Sequence, residues 1–380
     1  MEYTKFEMIF MYPVNLYDME TLAKRTMPHN MWTFVDAGSN DEITKRRNRE
    51  ALDRITVNSD FLVDINGRDL STTVLGEKIS FPVMIAPAGG QRQAHPEGEL
   101  ATAMGAGMSK TLMALATSSG YSIEEVSEVA SSPLWWQLYH YNDEITEHLV
   151  KRAKTSGYKA ICLTIDQPSP SHKERDLRNN YKSIPELHWG SLRNRPDLLQ
   201  LREVGIPDQI DWDPPKFTGL TWDRLDWLRN LTGLPLVLKG ISTVKEAVQC
   251  AEHNVDGIVV SNHGGRQMDS RKSSIETLVP IAEALSGSMT EIYLDSGIRR
   301  GQDVLKALAL GARAVMVGRP LFWGLAYDGA SGVHKMLEIL REEFDRAMAY
   351  TGCIKVSDIK SSVVELPCSC WTGSPIFHNH

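Results

Sequence analysis

Between residues 80 and 320, short apolar runs alternate with longer amphipathic stretches. The apolar runs are Pro82–Ala86, Thr111–Leu115, Leu134–Tyr139, Ala160–Ile165, Pro235–Lys239, Gly257–Ser261, Glu291–Asp295 and Ala314–Gly318. Most of their residues are β-branched or aliphatic, the pattern of strands buried on both faces. Between them, Leu100, Met104 and Met108 recur at a spacing of four and predict one helical stripe; Val244, Val248 and Ala251 predict another. Eight strands alternating with helices are the complement of a closed parallel barrel, so the pattern predicts an α/β protein of the (β/α)8, or TIM-barrel, type. A doubly wound sheet is the alternative, but its Gly-x-Gly-x-x-Gly fingerprint after a first strand is absent.

The chain outside this alternation adds three features. An N-terminal segment over residues 1–75 carries short helices within 15–52, with Asp18 and Glu20 opening the first. A closing helix presents Val333, Met336, Leu337, Leu340, Phe344 and Ala347 as an apolar stripe, and residues 356–380 form a tail. Residues 167–220, between the fourth and fifth strands, are rich in Pro, Asn, Asp and Trp and far longer than an ordinary barrel loop. Their place at the carboxyl end of strand four suggests an active-site lid, with a surface insertion as the alternative reading.

Composition narrows the class. Of 380 residues, 42% are hydrophobic and 23% charged, enough for one large buried core. A formal charge of −7 and the lack of any basic run argue against a nucleic-acid surface. The five cysteines are odd in number and scattered, as expected of reduced thiols; Cys162 and Cys250 fall at packing positions. Cys368 and Cys370 have no matching ligand cluster, so no metal site is expected. The N-terminal apolar stretch Met8–Met11 is too short for a membrane span or a secretory signal, and Phe377-His-Asn-His380 matches no retention signal. The default compartment is the cytoplasm.

In a barrel, function collects at the carboxyl ends of the strands, and phosphate commonly binds after strands seven and eight. Those ends read Asp295-Ser-Gly-Ile-Arg-Arg-Gly301 and Val317-Gly-Arg-Pro320. Gly297 and Gly318 would let backbone N–H groups approach a phosphate, with Arg299 and Arg319 supplying forked charge. Two solvated surface turns are the plainer reading of each alone; their matching positions favour phosphate. Strand six ends in Ser261-Asn-His-Gly-Gly-Arg-Gln-Met-Asp269, a histidine three residues from an arginine. A base beside a carboxylate-gripping cation suits oxidation of a hydroxy acid. Asp166, ending strand four, would stabilise the imidazolium of His263. Lys239, ending strand five, is either a snorkelling lysine or a positive charge beside an electron-accepting ring.

With these motifs in place, the sequence resembles the FMN-dependent 2-hydroxy-acid oxidases and dehydrogenases, the group that includes glycolate oxidase, lactate oxidase and mandelate dehydrogenase. The resemblance runs from about residue 16 to residue 355. It is carried by Ala94-His-Pro-Glu-Gly98, Gln137-Leu-Tyr139, Leu163-Thr-Ile-Asp166, Lys239-Gly240, Ser261-Asn-His-Gly-Gly-Arg-Gln, Leu294-Asp-Ser-Gly-Ile-Arg-Arg-Gly and Val317-Gly-Arg-Pro. It implies a single FMN-binding domain, with His263 as base, Asp166 as its partner, Arg266 gripping the substrate carboxylate and Tyr139 hydrogen-bonded to the substrate. Lys239 would lie near the N1/C2 carbonyl edge of the flavin. Ala86, Pro87, Ala88, Thr117, Gln137, Thr164 and Ser261 would contact the ring or lie close to it, and Asp295 the ribityl chain. Gly297, Arg299, Gly318 and Arg319 match the phosphate site. The resemblance also implies a homotetramer, with O2 or another oxidant as electron acceptor.

Two departures bear on the substrate. Where the family presents a tyrosine on the helix before the barrel, the segment Met27–Gly38 places Phe34, which has no hydroxyl. Where the family has a second arginine after the strand-four aspartate, Lys173 stands, with Arg175 two residues on. A lysine keeps the charge but loses the planar fork. Gly89, after strand one, occupies a place where the family carries a small residue facing the flavin. The altered grip implies a substrate bulkier than glycolate or lactate, for which Trp135, Trp136 and the lid offer shelter. A tailoring oxidase acting on a peptide or secondary metabolite is the alternative; a non-catalytic flavin- or phosphate-binding barrel would need no base.

Overall fold

The computed structural model describes residues 12–182, 187–195 and 220–367. The stretch Met8–Met11, the Cys368/Cys370 tail and parts of the expected lid lie outside the described residues. Eight parallel strands close into a barrel: β1 (Val83–Ile85), β2 (Met113–Leu115), β3 (Leu134–Leu138), β4 (Ala160–Thr164), β5 (Leu236–Ile241), β6 (Gly257–Val260), β7 (Glu291–Leu294) and β8 (Ala314–Val317). Each pairs with the next, and β8 pairs with β1 through Met316 opposite Met84. Every apolar run expected to be a strand forms one, within one or two residues of the expected limits.

Alternation along the strands divides the core in two. Met84, Ala114, Trp135, Cys162, Val237, Val259, Tyr293 and Met316 pack together inside the barrel. Their neighbours Ile85, Met113, Trp136, Leu163, Leu238 and Leu294 pack outwards into the larger core shared with the helices. The antiparallel ladder of Thr72–Val74 with Glu77–Ile79 adds Val74 and Ile79 to the inner cluster. Glu291 accepts hydrogen bonds from Leu75 N and the Tyr293 hydroxyl, fixing that ladder to the barrel.

Three helices precede the barrel: α1 (Leu16–Thr26), α2 (His29–Asp36) and α3 (Ile43–Arg54). Helices α4 (Gly98–Met108), α5 (Ile123–Val129) and α6 (Asp143–Thr155) follow β1 to β3; the short α7 (Glu174–Arg178) and α8 (Arg224–Thr232) follow β4. Then come α9 (Val244–Glu252), α10 (Ser274–Ala284), α11 (Gly301–Ala309) and α12 (Arg319–Tyr350), the last interrupted at Asp328 and Gly329. Capping boxes open α5, α9 and α10, each pairing Ser or Thr with a Glu three residues on.

The closing stripe from Val333 to Ala347 is buried as expected. The two other expected stripes are so only in part, with Leu100 and Ala251 packed against the core but half-buried. Met108 and Val244 are exposed, whereas α4 buries Ala101, Thr102, Gly105 and Ala106, and α9 buries Ala247 and Cys250. On α4 the reason is close packing. A Cβ on Gly105 would stand 2.7 Å from the Ala330 carbonyl oxygen and 2.7 Å from the Val333 Cβ, so the small face, not the methionine face, meets α12. Trp135 and Trp136, expected to shelter a substrate, are instead fully buried in the barrel wall against Tyr293 and Tyr158, and neither lines the cavity at the strand ends.

Candidate active site

A cavity of about 500 Å3 opens at the carboxyl ends of the strands, a size typical of small-molecule sites. It runs from the β7 and β8 ends, past Lys239 and His263, to Phe34 on α2 and the segment after β4.

His263 lies in the loop after β6 at a φ of 58°, followed by Gly264 and Gly265, also at positive φ. The segment before the barrel tethers this turn. Asn262 and Asn48 of α3 exchange amide hydrogen bonds of 2.7 and 2.9 Å, and the Gly265 carbonyl accepts from Ser39 N at 2.9 Å. Gly265 is required here, since a Cβ would fall 2.6 Å from Lys45 N. The imidazole Nδ1 lies 3.0 Å from Asp166 Oδ1. Burial opposes ionisation of Asp166, but the adjoining His263 and Lys239 outweigh it and keep the carboxyl below its ordinary value. Burial pushes His263 down, and Lys239 adds to this against the pull of Asp166. The pair therefore stands as carboxylate and neutral imidazole near neutrality, leaving Nε2 available as a base.

Lys239 Nζ is buried, 2.8 Å from Asp295 Oδ2 and 3.1 Å from Ser261 Oγ. Burial works against the ammonium, but Asp295 and Asp166 raise Lys239 above its ordinary value, so it stays charged. Gly240 makes room beside it: a Cβ there would fall 2.5 Å from that of Asp166. Behind the cavity, Thr117 N donates to Gln137 Oε1 and Gln137 Nε2 to Thr164 Oγ1, both at 3.0 Å. Ser261 Oγ accepts from His263 N at 3.0 Å.

At the other end, Arg299 and Arg319 line the cavity with Gly297 and Gly318. Burial, then Arg266 and Arg299, pull Arg319 down to about 9. Burial lowers Arg299 as well. Two half-buried guanidiniums, with Arg299 pulling Arg319 down, favour an anion beside them. Gly318 presents open space where a Cβ would stand, so backbone can approach a ligand there. The lining thus fits a phosphate-bearing cofactor, with Arg299 and Arg319 at one end and Lys239 and Gln137 in the same cavity.

Of the expected residues, Ala86, Pro87, Ala88, Gly89, Gln137, Tyr139, Lys239 and Asp295 line the cavity, as do Phe34, Lys173, His263 and Arg266. Asp166, Thr117, Thr164 and Ser261 stand behind them through the hydrogen bonds above. Arg175 does not line it; it pairs with Asp36 at 2.7 Å and Glu42 at 2.8 Å, so it offers no substitute for the second arginine. At Gly89, a Cβ would meet Ser118 Oγ at 2.1 Å, so an alanine would require that side chain to move. Sequence reasoning missed Asp176, Leu177, Tyr181, His188 and Trp189, which all line the cavity from the segment after β4. Their only signal was membership of the long insertion. Among the described residues, no cluster of three or more His, Cys, Asp or Glu could hold a metal, and no helix is long and apolar enough to cross a membrane.

Residues 23–366 match the family model described as FMN-dependent dehydrogenase. The chain belongs to this family. It is 43% identical over 360 residues to the L-lactate oxidase of Nostoc sp., covering 93% of this chain and 98% of that protein. It is 41% identical over 356 residues to human 2-hydroxyacid oxidase 1, covering 91% of this chain and 95% of that protein. A crystal structure of mandelate oxidase with benzoyl-formic acid superposes with a TM-score of 0.84 at 36% identity, covering 93% of this chain and 98% of that one. As a member of the FMN-dependent 2-hydroxy-acid oxidase family, the protein is an enzyme that acts on CH–OH donors with FMN as cofactor.

Proposed function

We propose that this family member oxidises 2-hydroxy acids bulkier than glycolate or lactate to the corresponding 2-oxo acids. The observation that carries this reading is the wall around Phe34. Its ring stacks on Tyr181 with centroids 4.7 Å apart and planes 13° from parallel, and the Arg266 guanidinium lies 5.1 Å from its centre. An apolar face thus stands beside the anion-gripping cation, where an aryl or long alkyl group can pack while its carboxylate is held. Leu177 and Trp189 extend the apolar lining.

In this reading Arg266 and Lys173 hold the carboxylate, Tyr139 hydrogen-bonds the substrate and neutral His263 accepts a proton at Nε2. Asp166 stabilises the resulting imidazolium. FMN, when bound, would supply the two-electron acceptor; Arg299, Arg319, Gly297 and Gly318 would hold its phosphate, Asp295 its ribityl chain, and Lys239 would stand beside its ring. The names of the relatives, all oxidases, support O2 as the final acceptor. We further place the enzyme in the cytoplasm, on the strength of buried free thiols at Cys162, Cys250 and Cys353, and infer a homotetramer from the family resemblance.

Steady-state kinetics across glycolate, L-lactate, 2-hydroxyoctanoate and mandelate test the substrate reading. The kcat/KM should rise with side-chain size; a maximum at glycolate or L-lactate would refute it. Phe34→Tyr should raise activity on small acids by up to about tenfold, because one added donor contributes about 0.5–1.5 kcal/mol.

The pH profile should show an acid limb in kcat/KM below the ordinary histidine value of 6.5, because burial depresses His263. Asp166 raises His263, so Asp166→Asn should move that limb to still lower pH while reducing the maximal rate. A limb that stays put in Asp166→Asn would separate the two residues functionally.

A further inference from the structure

Asp176, on α7, lines the same cavity as Arg266 and Lys173, the two cations assigned to the substrate carboxylate. It is 4% exposed, and its Oδ1 is buried with no hydrogen-bond partner. A buried, underbonded carboxyl beside a site for an anion presents an electrostatic conflict. Ionised, it would repel the incoming carboxylate; protonated, it has an O–H to donate. The charged and titratable groups around it include Lys173 and Arg175 from its own segment, Tyr181 beyond it, Arg266 from the loop after β6, Glu42 before α3 and, from α2, Asp36 through its pair with Arg175. Burial outweighs the three cations and raises Asp176 above its ordinary value, with Glu42 adding to the rise.

We propose that Asp176 is a specificity residue of the carboxylate subsite, which takes up a proton when an acid binds and donates it as a hydrogen bond to the bound anion. The proposal rests on the hydroxy-acid reading above. The bound carboxylate adds a negative charge next to Asp176, so its pKa is higher in the complex than in the free enzyme. Linkage then fixes the sign: affinity for the acid is greatest where Asp176 is already protonated and falls as pH rises between the two values. The subsite thereby favours anions that can accept a hydrogen bond from a neutral acid.

Benzoylformate binding to the FMN-loaded enzyme, followed by the flavin absorbance change from about pH 5 to pH 8, provides the test. Asp176→Asn keeps the shape and a donor but cannot ionise. At low pH the variant and wild type should bind alike. With rising pH the wild-type Kd should grow relative to that of Asp176→Asn by up to about tenfold per pH unit. Titration of His263 is common to both proteins and leaves this ratio unchanged. A ratio that stays constant with pH would overturn the proposal while leaving the hydroxy-acid reading intact. If neither benzoylformate nor any other 2-oxo acid binds, the hydroxy-acid reading falls and the proposal with it. Should Asp176→Asn fail to fold, His263→Ala holoenzyme provides a second measurement by calorimetry in buffers of different ionisation enthalpy. It should still take up a proton on binding benzoylformate; zero uptake across the range would overturn the proposal.

Discussion

His263→Ala will slow flavin reduction by at least about a hundredfold, the low end expected for loss of a general base. The histidine is neutral, held by Asp166 at 3.0 Å and set at a left-handed backbone position, which fixes where Nε2 points. Alanine leaves Asp166 Oδ1 without its partner, while Oδ2 already has none. A buried carboxylate stripped in this way costs about 1–3 kcal/mol, so some loss of thermal stability should accompany the loss of rate. FMN should remain bound, because the arginines proposed to hold its phosphate lie elsewhere, Arg299 in the loop after β7 and Arg319 at the start of α12. Rapid-mixing measurement of flavin reduction, with flavin content read from the visible spectrum, separates these effects. Near-wild-type reduction would make His263 a structural residue.

The second large effect concerns Arg319. Arg319→Ala should weaken FMN binding by about ten- to a hundredfold, the range for losing a charge-assisted hydrogen bond of about 1.5–3 kcal/mol. The apoprotein should respond differently. Arg319 is half-buried and its charge is opposed by Arg266 and Arg299, so removing it relieves repulsion in the site. The rise in Tm on adding FMN should therefore shrink, because ligand stabilisation follows the ratio of free ligand to Kd. Apoprotein stability should change much less, since relieved repulsion offsets the lost bonds from Arg319 to Val35, Ala37 and Gly264. Thermal denaturation with and without FMN reads both terms. An unchanged FMN-dependent shift would place the phosphate elsewhere.

The barrel was legible because its strands are buried on both faces, which leaves short apolar runs that little else in a chain produces. The polar cluster at the strand ends was legible for a related reason: Asp166, Lys239, His263 and Asp295 end or closely follow such runs, and the structure brings them together. Helix orientation was less so. On α4 the large residues looked like the buried stripe, yet close approach to α12 selects Gly105 and Ala106 instead. Trp135 and Trp136 were misplaced although alternation already argued against them, since adjacent strand residues face opposite ways and neither lies at the mouth. Asp176, Tyr181 and Trp189 could not be read at all. Their positions depend on the path of a long segment over the barrel, and no periodicity encodes that path.

The carbonyl end of α2 has a consequence for communication between ligands. Arg266 donates to the carbonyls of Phe34, Val35 and Ala37, and Arg319 donates to Val35 and Ala37. One guanidinium belongs to the proposed carboxylate subsite and the other to the proposed phosphate subsite, and both hold the same turn of backbone. An anion that draws either arginine away leaves shared acceptors to the other and also removes part of their mutual repulsion. The two binding equilibria are then coupled, and the coupling is reciprocal: the factor by which FMN alters affinity for the acid equals the factor by which the acid alters affinity for FMN. Accumulating product would therefore change how firmly the enzyme keeps its own cofactor.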